Sequence, residues 1–131
     1  AEVQYEEYYK IRLIEAKTLL HITYSELIPT LNKEMKEYGS SPIKETLFGQ
    51  ETLQLLSSTI SEMYALSKKI ESQLHQLCNM QNTKEKGLYL LKNIVPLLDE
   101  LRSTFDNVES ILSKDSIDYP TYKELFFRLD Y

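Results

Sequence analysis

The feature that most constrains this chain is an unbroken heptad-spaced apolar seam between residues 50 and 80. Leu53, Leu56, Ile60, Met63, Ser67, Ile70, Leu74 and Leu77 follow alternating steps of three and four, and Ser67 is the one polar residue in the register. Such spacing puts all eight side chains on one stripe of a helix, and a stripe that long cannot be left facing water. The segment therefore requires partner helices. At about 1.5 Å per residue a helix over 50–80 would run roughly 45 Å.

Partners are present on both sides. From Glu2 to Tyr38 the apolar positions Tyr9, Leu13, Ala16, Leu20, Tyr24, Leu27, Leu31 and Met35 recur every three or four residues. From about Lys84 to Ser113 a second seam runs through Leu91, Ile94, Leu98, Leu101, Phe105, Val108 and Leu112. Pro29 and Pro96 fall inside these two patterns. Each removes a backbone donor and collides with the preceding turn, so a kink is expected at both. Gly39 is expected to end the first helix in a left-handed cap, and Gly49 to place the next start near Gln50. Ser41-Pro42 carries a start signal for a short helical turn before that point, and Asn82 or Thr83 can cap the third helix. Short connections between long helices force neighbours to run antiparallel. The expected fold is thus all-α: an antiparallel bundle of three long helices over 2–38, 50–80 and 84–113, kinked near Pro29 and Pro96. A short C-terminal helix over 121–128 follows, where Thr121 and Glu124 make a capping-box pattern ahead of Leu125, Phe126 and Phe127. All 131 residues read as one domain.

Composition narrows the function classes. A net charge of −5 with Lys and Arg interspersed among acids offers no basic stripe for phosphates, so nucleic acid is not an expected partner. No apolar run is long enough to span a bilayer, so a membrane is not expected either. Cys78 stands alone, which suits a reducing cytoplasm. The chain opens with Ala-Glu-Val inside an amphipathic pattern and without Met, and reads as a piece of something longer.

Catalytic constellations are missing from the sequence. The three glycines are scattered, so there is no phosphate loop. His21 and His75 sit beside seam positions as boundary residues, with no nucleophile set against them. Glu71, His75 and Cys78 share a helix face but do not amount to a metal site. The many tyrosines, Tyr5, Tyr8 and Tyr9 among them, suit helix boundaries or a contact with a neighbouring domain. No catalytic, cofactor-binding or metal-binding residue is assigned.

Three stretches carry a resemblance to a known family. Glu6-Glu7-Tyr8-Tyr9-Lys10-Ile11-Arg12-Leu13-Ile14-Glu15-Ala16-Lys17-Thr18 is similar to the segment by which type III glutamine synthetases enter a long helix centred on Ile-Glu-Ala. Leu27-Ile28-Pro29 follows at the family's spacing. Tyr119-Pro120-Thr121-Tyr122-Lys123-Glu124-Leu125-Phe126-Phe127 resembles the family's closing Pro-Thr-Tyr motif. Val95-Pro96 with Leu101-Arg102 is a weaker match. The resemblance implies a non-catalytic C-terminal helical domain of a cytoplasmic, ATP-dependent glutamate–ammonia ligase. The parent's ATP and divalent metal such as magnesium would be held by a catalytic region outside this segment. The implied partners are that catalytic region and neighbouring subunits, with the domain supporting oligomer assembly. Tyr8, Ile14, Glu15 and Pro29 would lie near the domain junction, and Pro120, Tyr122 and Phe126 in a docked tail. The alternative is a free-standing helical-bundle adaptor that receives partner helices in a groove.

Overall fold

In the computed structural model, which describes residues 2–112, every long element is a helix and there is no strand among the described residues. The first helical stretch comprises α1 (Glu2–Ile22), a π-helical turn (Thr23–Leu27) and α2 (Ile28–Ser40). A 3-10 turn (Pro42–Glu45) leads into α3 (Leu47–Cys78), the longest helix at 32 residues. The third stretch repeats the design of the first, with α4 (Thr83–Tyr89), a π-helical turn (Leu90–Ile94) and α5 (Val95–Glu109). The short helix expected at 121–128 lies outside the described residues.

Both π turns stand at the same distance before a proline, and the reason is local. Pro29 and Pro96 have no N–H, and their rings crowd the turn behind them. The backbone answers by widening that turn. The N–H of Ile28 reaches back to Thr23 O, and that of Val95 to Leu90 O, in five-residue loops. The wide turn also corrects register. Leu19, Thr23, Leu27 and Leu31 are all fully buried at strict four-residue steps. In a regular α-helix each such step drifts by about 40°, which would carry the last residue off the core.

This shift in phase corrects two parts of the sequence reading. Leu20 and Met35 are only half-buried and Tyr24 lies at the surface, while Leu19, Ile22 and Thr23 take the inward line. In the third stretch Leu91 is 48% exposed, and Leu90 and Gly87 face inward in its place. From Ile94 onward the expected line holds: Ile94, Leu98, Leu101, Phe105 and Val108 are buried. The α3 seam holds through Leu56, Met63, Ser67, Ile70 and Leu77, with Leu53, Ile60 and Leu74 half-buried beside it.

Both glycine boundary expectations are also corrected. The first stretch runs through Gly39 to Ser40, and none of the described glycines adopts a positive φ. Helix α3 starts ahead of Gly49, because Thr46 Oγ1 accepts from the Gly49 N–H at 3.0 Å and caps it three residues early. Ser41 Oγ accepts from Ile43 N–H, as its sequence signal suggested, and Asn82 Oδ1 accepts from Glu85 N–H at 3.1 Å to cap α4.

Side-chain contacts join the three stretches. Tyr24 meets Tyr64 edge-on at 6.3 Å, and Tyr38 meets Phe48 at 6.4 Å. The Tyr89 hydroxyl lies against the side-chain amides of Gln73 and Gln76, and Thr104 Oγ1 approaches Glu62 at 3.4 Å. Between the first and third stretches, Lys86 Nζ lies over the Tyr9 ring at 5.9 Å and Glu15 lies beside Arg102. One apolar cluster fills the space between the three.

Ser67 is the flaw in that cluster. It is fully buried, and its hydroxyl has no hydrogen-bond partner among the described residues. Ser67→Ala removes an unpaired buried hydroxyl and adds helix propensity, so it is expected to stabilise the fold by about 1 kcal/mol. Urea unfolding followed by circular dichroism checks this; a loss of stability would show that the hydroxyl is paired after all.

Candidate functional site

Two places concentrate polar chemistry against the core. The first is a charge cluster between α1 and α5. Glu15 precedes the seam residue Ala16 and is drawn inward by the helix phase, leaving it 2% exposed. One turn earlier, Arg12 donates from Nη1 to Glu15 Oε2 at 2.8 Å. From α5, Arg102 brings Nη2 within 3.9 Å of Glu15 Oε1 and donates from Nη1 to Asp99 Oδ1 at 2.9 Å. The Arg12 guanidinium also lies over the Tyr8 ring, 5.3 Å from its centroid. Partial burial, the largest single influence, pulls the Arg12 pKa down, but hydrogen bonds to Glu15 and Tyr8 and their charge interactions together outweigh it and hold the group above its ordinary value.

The second is an open depression of about 430 Å³ where the first stretch ends and α5 finishes. Tyr38, Ile43 and Ile111 give it an apolar floor, with Glu34, Glu37 and Ser41 around it. Nothing in the periodicity marks this site. It lies where the end of α2, the 3-10 turn and Ile111, just past α5, come together.

The residues singled out by sequence are spread apart. Tyr8 is half-buried under Arg12, and Glu15 is committed to the charge cluster inside this chain. Ile14 is 63% exposed and Ile11 49%, whereas Ala16 and Leu19 on the other side of α1 are fully buried. Pro29 lies at the surface behind its π turn. Pro120, Tyr122 and Phe126 lie outside the described residues. His21, His75 and Cys78 are exposed, and Glu71 reaches Lys68 at 3.4 Å. Near this pair, Tyr24 is held above the usual tyrosine pKa, by burial first and by a hydrogen bond to Glu71 second.

Sequence reasoning missed the role of Arg102. A signal for it exists: Glu15 and Arg102 each sit one residue from a seam position, with opposite charge, on two different helices. Among the described residues no group of three acids, histidines or cysteines is placed to hold a metal, and no helix is long and apolar enough to cross a membrane. No protein-family model, curated protein or solved structure matches this chain.

Proposed function

We propose that this chain is the non-catalytic C-terminal helical domain of a type III glutamine synthetase, working in the cytoplasm as a packing and assembly element. The observation that carries the reading is the position of Ile11 and Ile14. Both belong to the Glu6–Thr18 stretch that resembles the family, and both point away from the core. Large aliphatic side chains left in water on one helix face are what a docking surface for a larger body requires. Leu88 and Leu91, 51% and 48% exposed on the third stretch, extend the supply of surface aliphatics. The paired contacts between stretches support a single domain built as an antiparallel three-rod bundle bent at Pro29 and Pro96. In the parent, ATP, magnesium and glutamate would be held by the catalytic region, and this domain would contribute contacts to it and to neighbouring subunits.

The coding sequence upstream of Ala1 tests the proposal directly. Several hundred residues bearing a synthetase nucleotide site and metal-ligand glutamates are expected. A start codon at or just before Ala1 would overturn the reading and favour a free-standing adaptor bundle. In the parent enzyme, Ile14→Glu is expected to weaken subunit assembly by tenfold or more, about 1.4 kcal/mol, as read by sedimentation velocity. The isolated chain should keep its thermal stability, because the substituted residue faces solvent.

A further inference from the structure

The depression lined by Glu34, Glu37, Tyr38, Ser41, Ile43 and Ile111 has no occupant among the described residues. We propose that it is the docking site for this chain's own aromatic segment, Tyr119–Phe127. Ile111 lines the depression, and the described residues end at Leu112, the next in the chain. Residues 113–118, Ser-Lys-Asp-Ser-Ile-Asp, form a mostly polar spacer before Tyr119. Extended at about 3.3 Å per residue it reaches roughly 20 Å, enough to turn back over the site.

Chemistry agrees on both sides. The floor offers a tyrosine ring and two isoleucines, the kind of surface that accepts aromatic side chains. The segment supplies Tyr119, Tyr122, Phe126 and Phe127 within a short span. Glu37 is exposed beside the floor, and the segment carries Lys123 and Glu124 side by side, so its net charge does not oppose the contact. A tether this short sets an effective concentration in the millimolar range, so even a weak contact is populated. A foreign peptide or a second copy would have to displace it. Docking of this segment does not require a synthetase body.

The test uses the full chain. With Cys78→Ser to remove the native thiol, Lys123→Cys takes a nitroxide label, and amide signals of Tyr38 and Ile43 are followed by NMR. Docking predicts at least a twofold loss of intensity at these two positions, which are remote from the label in sequence, and little change at Ser58 or Ser72. Unchanged Tyr38 and Ile43 signals would overturn the proposal. So would broadening seen only when labelled chain is mixed with isotope-enriched unlabelled chain, because the occupant would then be a second copy. A second readout guards against misfolding of the labelled variant. Ile43→Ser and Phe126→Ser should each lower the melting temperature, and the double variant should fall no further than the more severe single one. Additive losses would mean that the two residues do not meet.

Discussion

Glu15→Ala is expected to destabilise the protein by about 3 kcal/mol at neutral pH. The carboxylate side chain is 3% exposed and sits between two guanidinium groups, 2.8 Å from Arg12 and 3.9 Å from Arg102. Its removal takes one carboxylate away from the Arg102 side chain, itself only 11% exposed, which also pairs with the largely solvent-facing Asp99. Taking a partner from a buried charge is costly, whereas alanine's better helix propensity returns only a few tenths of a kcal/mol. Arg12, at 20% exposure, can turn towards water and limits the loss. Replacing both inner partners, as Glu15→Leu with Arg102→Met, should recover most of the stability, because the desolvation cost disappears with the charges. Urea unfolding of the two singles and the double closes the cycle. A loss below 1 kcal/mol in Glu15→Ala would mean that the cluster is solvated and contributes little.

Gly49→Ala should destabilise by about 3 kcal/mol, against the direction that helix propensity predicts. Gly49 lies in the first turn of α3, where alanine would ordinarily gain about 1 kcal/mol over glycine. A Cβ placed there would stand 1.9 Å from Ile43 O and 2.6 Å from Ile43 C. Both are backbone atoms of a turn that is tied down, since Ile43 O accepts from Thr46 N–H at 3.0 Å and from Thr46 Oγ1 at 2.6 Å. The clash therefore cannot be relieved by a side-chain rotation, and the 3-10 turn must lift away from the helix. Gly87 is the internal control. A Cβ there meets nothing within 4 Å, so Gly87→Ala should stabilise by about 1 kcal/mol. Thermal melts of the two variants should shift in opposite directions. Stabilisation in both would show that the turn is free to move.

The two glycines also mark how far a sequence can be read. The need for a glycine at Gly49 has nothing to do with φ, which is ordinary there, and everything to do with a turn packing across it. Periodicity cannot report a close approach between segments. It led instead to expecting a boundary at Gly49 and a left-handed cap at Gly39, and the helices run through both.

Of the candidate site, sequence named Glu15 and Ile14 without separating their fates. One residue apart on α1, they differ by 100° around the helix. That places Glu15 against Arg102 and Ile14 in water, and only the packed arrangement fixes which direction is inward.

What the sequence determined by itself was the helical character of the chain, the three stretches, the α3 seam and the caps at Ser41 and Asn82. These depend on local spacing and on hydrogen bonds between near neighbours, which are written in consecutive residues. Tertiary structure decided the rest. The π turns before Pro29 and Pro96 moved the buried line to Leu19 and Leu90, because a proline's missing donor can be absorbed in several ways and packing selects one. The Glu15–Arg102 pair and the depression at Tyr38, Ile43 and Ile111 exist only once segments far apart in sequence are brought side by side.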